Sequence, residues 1–218
     1  MAETKTGKID GRTARARLTR SRIIEAATGL FTTAGYATTS VEAIAEKAGV
    51  GVQTVYYAFG TKRAILTEAL DRAVAGDDEP VPTLERPWLR QALATPDPVD
   101  QLRLQVAGAA AIYARAAALL DVVRSAAATD PDLAQVWRTN LEQRHTVQLT
   151  LAEALAGKTT LRHSVDEAAD IALAVLSPET YHLLVTGRAW TPQRWEHWAC
   201  DALTCQLLDT SGSSPSHK

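Results

Sequence analysis

Cysteine, methionine and aromatic residues are all scarce in this chain. Two cysteines, one methionine and 6% aromatic side chains are spread over 218 residues. The cysteines, Cys200 and Cys205, lie five apart in a helical pattern and so fall on different faces. That excludes a disulfide framework, makes them small buried hydrophobes rather than a redox switch, and points to a reducing cytoplasm. No run approaches the roughly 18 apolar residues of a membrane span. The polar, basic start from Met1 to Arg22 lacks the apolar core of a secretory leader. Alternating β-branched patterns are absent, which excludes an all-β fold. There is no glycine-rich phosphate loop, no His-Glu-x-x-His and no nucleophile elbow, so the common enzyme signatures are missing.

What is present is globular: 46% of residues are hydrophobic and 22% charged, a balance that rules out wholesale disorder. The net charge of −2 conceals an asymmetry. Residues 1–75 carry 11 Lys+Arg against 7 Asp+Glu, a net of +4, and residues 76–218 carry 12 against 18, a net of −6. A basic first third suggests a nucleic-acid-facing module, although a merely solvated basic tail would give the same count.

Helical periodicity and abundant alanine predict an all-α chain. Helices are expected over about 16–34, 40–47, 51–57, 61–76, 98–119, 120–128, 131–156, 165–175 running or kinking into 178–188, and 192–208. Thr39 with Glu42 and Ser164 with Glu167 read as capping boxes. Asp97-Pro98, Asp130-Pro131, Ser177-Pro178 and Thr191-Pro192 each place a capping side chain before a proline at the first helical position. Acidic, proline-containing residues 77–82 break the pattern and set a domain boundary. The expected organisation is a flexible basic arm (1–15), a DNA-binding unit (16–60), a connecting helix and linker (61–82), a larger helical body (83–209) and a frayed Ser/Gly/Pro-rich tail (210–218).

Residues 41–60 are the most informative. Two short helices meet at a tight turn at Gly49, which suits positive φ. Ala45 permits a close crossing, and Ile44, Val50 and Val55 lock the two helices at a steep angle. This is a helix-turn-helix, whose second helix enters the DNA major groove. Ile23, Ile24, Ala27, Leu30 and Phe31 form the stripe that covers the pair.

The block Arg22–Ala27, Leu30-Phe31, Gly35–Val41, Ile44–Val50, Gln53–Phe59 and Lys62–Leu66 resembles the tetracycline-repressor-like (TetR/AcrR) family of bacterial transcription regulators. The likeness covers the first third of the chain. Gly51 departs from the serine that many members use as a helix cap, and Arg63 departs from a common acidic residue. The resemblance implies a cytoplasmic homodimer that binds a pseudo-palindromic operator in double-stranded DNA, most often as a repressor. With helix geometry it implies base contacts from Val52, Gln53, Thr54 and Tyr56. Phosphate contacts fall to Thr39, Ser40, Tyr57, Lys62 and Arg20. Arg12, Arg15, Arg17 and Arg22 complete a basic arm that could reach phosphates or the minor groove.

The resemblance also implies a body that dimerises and holds a small apolar or aromatic effector. Trp88, Tyr113, Trp137, Asn140, Arg144 and Gln148 would line its cavity, placed between helices 98–119, 131–156 and 165–188. Plain core packing would satisfy the same pattern. Leu184, Trp195, Trp198 and Ala202 on the last two helices are expected at the dimer interface, with both tryptophans buried between subunits. A ligand-independent DNA-binding dimer is the near alternative. A helical di-metal enzyme is the distant one, prompted by Glu142-x-x-His145 and Glu179-x-x-His182. The extra glutamates such a site needs are missing, so no metal and no cofactor is expected.

Overall fold

The computed structural model describes residues 7–76 and 82–209. The first six residues of the expected arm, linker residues 77–81 and the tail 210–218 lie outside that range. Among the described residues the regular structure is helical: α1 (Gly7–Ala34), α2 (Val41–Ala48), α3 (Val52–Phe59), α4 (Lys62–Ala75), α5 (Pro87–Ala94), α6 (Pro98–Ala126), α7 (Pro131–Ala156), α8 (Val165–Val175), α9 (Pro178–Tyr181) and α10 (Pro192–Leu207). A 3-10 turn at Thr83–Glu85 precedes α5, and a π-helical stretch, His182–Gly187, follows α9.

The proline-based starts form as the sequence predicts. Asp97 accepts from the Asp100 amide, Asp130 from those of Asp132 and Leu133, Ser177 from Thr180 and Thr191 from Arg194. Each side chain satisfies one or two amides that the first helical turn leaves without a partner. The Ser164–Glu167 capping box is complete. The α2 cap is displaced by one residue: Ser40, not Thr39, accepts from the Ala43 amide. Thr39 is buried and its hydroxyl donates to the Gly35 carbonyl.

Three further boundaries differ from expectation. The first helix starts at Gly7 rather than near residue 16. Residues 98–126 form one helix, because nothing between Leu119 and Leu120 breaks the hydrogen-bond ladder. Helix α5 was not expected. Its N-cap, Arg86, makes no side-chain cap bond, and its far end is held from outside, by Lys158, whose ammonium donates to the carbonyls of Ala92 and Leu93 and to Gln101.

Helices α1–α3 enclose a small core of Ile23, Ile24, Ala27, Phe31, Ile44, Ala45 and Val55. Helix α4 adds Ile65, Leu66 and Ala69 to that core and continues onto α6. Helix α6 is the axis of the body, packed against α4, α5, α7, α9 and α10. It is long and apolar enough to cross a bilayer, which the sequence reading did not anticipate. Here its apolar residues, among them Leu102, Val106, Tyr113, Leu120 and Val123, are buried between neighbouring helices. Behind it stands an aromatic cluster. Trp195 sits edge-on to Tyr181 and Tyr113, with ring centroids 5.0 and 6.2 Å away. Burying an indole of that size contributes up to roughly 4–6 kcal/mol by area.

Candidate DNA-reading head and body cavity

The head is built for a steep crossing. Gly49 ends α2 at φ +64°, and its amide reaches back to the carbonyls of Ala45 and Glu46. A side chain there would be strained and would also collide with Arg22, whose guanidinium donates to the Ala48 carbonyl. Helix α3 follows from Gly51 without a side-chain cap. Val55 points into the core, whereas Gln53, Thr54, Tyr56 and Tyr57 point out, Tyr57 with 93% of its surface exposed. Val52 is half-buried against the head core, so only part of it is presented outward. The exposed set occupies the first turns of the second helix, the part that meets base edges and backbone in a helix-turn-helix.

Two expected phosphate contacts are engaged elsewhere, and a third is largely so. Arg20 forks onto the Glu68 carboxylate, donates to the Ala58 carbonyl and lies over the Phe59 ring. It staples α1 to α3 and α4, because a guanidinium's donors match a carboxylate bidentately. Thr39 is buried, as above, and cannot reach DNA. Lys62 donates to the carbonyls of Tyr36 and Thr39 at 2.8 and 2.9 Å, over the Tyr36 ring. Burial lowers its pKa. Two of its three ammonium protons thus hold the α1–α2 turn. Ser40 and Tyr57 remain exposed at the head surface, and so do Arg15 and Arg17 on α1.

Helix α1 also packs on α6, and side chains tie both ends of the shared helix α4 to the body. Arg63, in the first turn of α4, pairs with Asp132, in the first turn of α7. At the other end of α4, Arg115 of α6 donates to the carbonyls of Ala73 and Val74. Its guanidinium fills the space where a side chain on Gly76 would stand, 2.8 Å away.

The body contains a cavity of about 550 Å³ between α4, α5, α6 and α7. Trp88, Tyr113, Asn140, Arg144 and Gln148, five of the six residues expected to line it, do so. Trp137 does not: it borders a separate pocket of about 140 Å³ with Pro178, Glu179 and His182. The third wall is also different from expectation. It comes from Asp71, Val74 and Ala75 of α4 and from residues 82–84, not from 165–188. The sequence reading missed those residues along with Ile112, Gln143, Thr146 and Val147. Helical spacing on α7 could have found the last three, since they flank Asn140, Arg144 and Gln148 on one face.

The polar groups at the cavity are fixed. Gln105 donates to Gln148 at 2.6 Å, both buried. The Arg144 Nε donates to Asn140 Oδ1 at 3.0 Å, and the guanidinium lies 5.2 Å from the Trp137 ring centre. The Tyr113 hydroxyl donates to the Leu176 carbonyl. Burial pushes its pKa up to about 12, against a smaller lowering by Arg144. Trp88 packs flat on Gly108, where a Cβ would come within 2.4 Å of the indole.

The residues expected at a subunit contact on the last helices fall into two groups. Trp195 has no exposed surface within the single chain, packed by Tyr113 and Tyr181, so it is core and not interface. Leu184, Trp198 and Ala202 are half-buried, and Leu183 beside them is 60% exposed. Cys200 is half-buried and Cys205 exposed, so only the first resembles the buried hydrophobe expected. His145 lies 3.4 Å from Asp170, while His182 and Glu179 border the smaller pocket. Among the described residues no cluster of three His, Cys, Asp or Glu side chains could hold a metal ion.

A three-helix head with an exposed second helix, on an all-helical body, defines a helix-turn-helix DNA-binding regulator. The model of the tetR family of bacterial regulatory proteins matches residues 23–69, from the middle of α1 into α4. Most of the chain shares its fold with solved structures of transcriptional regulators and one ligand complex. A TetR family transcriptional regulator from Pseudomonas syringae pv. tomato is 24% identical, with a TM-score of 0.64 over 85% of this chain and 93% of that one. A TetR transcription regulator from Haloarcula marismortui is 16% identical, with a TM-score of 0.63 over 87% and 98%. The SmeT–triclosan complex is 17% identical, with a TM-score of 0.67 over 92% and 96%. No curated protein matches the chain in sequence.

Proposed function

We propose that this chain is a homodimeric, cytoplasmic repressor that leaves its operator when a small molecule fills the body cavity. The observation that carries the reading is the double duty of α4. Ile65, Leu66 and Ala69 belong to the head core, while Asp71, Val74 and Ala75 of the same helix line the cavity. A ligand that fits the cavity in one position of α4 better than in another shifts the head spacing by that difference in affinity. Its volume lies within the usual range of ligand pockets, and SmeT, of the same fold, was solved with triclosan.

Gln53, Thr54 and Tyr56, with the outward part of Val52, are assigned to base edges. Tyr57, Ser40 and the remaining donor of Lys62 are assigned to phosphates. Two subunits would pair through the half-exposed faces of the π-helical stretch 182–187 and α10, with Leu183, Leu184, Trp198 and Ala202 at the contact, so that two heads meet two half-sites of a pseudo-palindrome. The test is selection of bound duplexes from a random pool by the purified protein, followed by a mobility shift on the recovered site. A two-fold symmetric site, bound by two chains and released by a small molecule that also raises the melting temperature, is the expected result. A protein that selects a site which no small molecule releases would be a ligand-independent DNA-binding dimer instead.

A further inference from the structure

Arg144 lacks the carboxylate partner that two other helix-tying arginines have. Arg20 has Glu68, and Arg63 has Asp132. Arg144 is half-buried at the wall of an apolar cavity, and among the described residues no carboxylate lies within ion-pair distance of it. Its Nε is bound to Asn140 Oδ1 and one face is turned to Trp137, so the guanidinium is held in place. A partly desolvated cation is costly without an anionic partner. The same lining includes the apolar and aromatic side chains of Trp88 and Ile112. The acidic group of the cavity, Asp71, stands on the α4 wall one turn from Glu68.

On the reading that this cavity is the effector site, we propose that its ligand is a small aromatic carboxylate whose charged end is held by Arg144. Negative charge on α4 turns the carboxylate toward α7, and Trp88 covers the ring. A planar guanidinium grips a carboxylate through two parallel N–H···O bonds, which fixes orientation as well as charge. The opposite polarity, a cation on Asp71, is the competing occupant.

The probes are 2-naphthoate, 2-naphthamide and 2-naphthylmethylammonium, which share a ring system and differ in charge. Each is titrated into the full chain by calorimetry and thermal shift, with Arg144→Met and Arg144→Lys alongside. Naphthoate is expected to bind about tenfold more tightly than naphthamide, the worth of one charge-assisted bond. Arg144→Met should make the two equal while still binding naphthamide, and Arg144→Lys should keep part of the preference. If Arg144→Met does not fold, Arg144→Gln serves the same comparison. Equal binding of acid and amide by the unaltered protein overturns the proposal and leaves the effector cavity standing. Tighter binding of the ammonium overturns it in favour of Asp71. No shift with any of the three overturns it together with the effector reading.

Discussion

The Arg63 guanidinium meets the Asp132 carboxylate, tying the first turn of the helix that carries the head to the first turn of α7. Both side chains are well exposed, 42% and 68%. Exposed pairs are worth little for stability, about 0.2–1 kcal/mol. Their position matters more than their strength. Asp132→Ala should lower stability by under about 1 kcal/mol in urea unfolding. A double-mutant cycle with Arg63→Ala that returns no coupling energy would remove this tie between head and body.

Base reading should be separable from backbone anchoring. Gln53→Ala is expected to relax preference at one base pair per half-site, by about 1–3 kcal/mol. Tyr57→Ala should weaken binding to all sites alike, because Tyr57 has no other work in the fold. Lys62→Ala should lower both DNA affinity and melting temperature, since its ammonium holds the Tyr36 and Thr39 carbonyls. Parallel titrations on single-base operator variants read all three.

The two tryptophans of α10 should behave differently. Trp195→Ala empties a core site and is expected to cost about 3–5 kcal/mol, a large share of a marginal stability, read as a lowered urea midpoint. Trp198→Glu with Leu183→Glu should instead give a folded monomer with native circular dichroism. Sedimentation that finds a dimer for that double variant would move the subunit contact away from the π-helical stretch 182–187 and α10.

Tyr113 links stability to alkaline pH. Its hydroxyl keeps its proton to about 12 in the fold, whereas in the unfolded chain it ionises near 10. Between those values the unfolded state binds fewer protons, so stability falls as pH rises above about 10. The loss reaches about 2 kcal/mol at pH 12 from this group alone. Tyr36 and Tyr181, also raised by burial, add to the same slope. Tyr113→Phe should flatten it, as read from urea midpoints at pH 8 and pH 11.

Gly108 and Trp88 offer a test of the cavity wall. Gly108→Ala places a methyl carbon inside the indole's space, so the ring or α5 must move, at roughly 1–3 kcal/mol. Binding of any cavity ligand should weaken more than DNA binding does. A variant with unchanged ligand affinity would take Trp88 out of the binding surface.

What the sequence made legible was chemistry that is local. An Asp-Pro or Thr-Pro pair fixes a helix start with three residues, and Gly49 fixes a turn with one, so those features appeared where expected. Of the five cavity residues, Asn140, Arg144 and Gln148 were legible because they repeat along one helix, while Tyr113 and Trp88 stood out as aromatic side chains with polar tips. Trp195 was not, because α10 is aromatic on more than one side and only the neighbours Tyr113 and Tyr181 decide which side is inward. Arg20 and Arg63 read as DNA-facing or misplaced charges until Glu68 and Asp132, distant in sequence, came alongside. Helix α5 was hidden because its ends are satisfied by the backbone and by Lys158, not by its own caps.

The cavity lining and the surface proposed to face DNA have no residue in common: one draws on α4–α7 and residues 82–84, the other on Ser40, α3 and the first turn of α4. Substitutions on α6 that resize the chamber, such as enlarging Ala109, leave Gln53 and Tyr57 untouched. The chemical signal and the genomic address can therefore drift independently over generations. Duplicated copies of such a gene could be retuned to a new metabolite while keeping their promoter, or moved to a new promoter while keeping their metabolite.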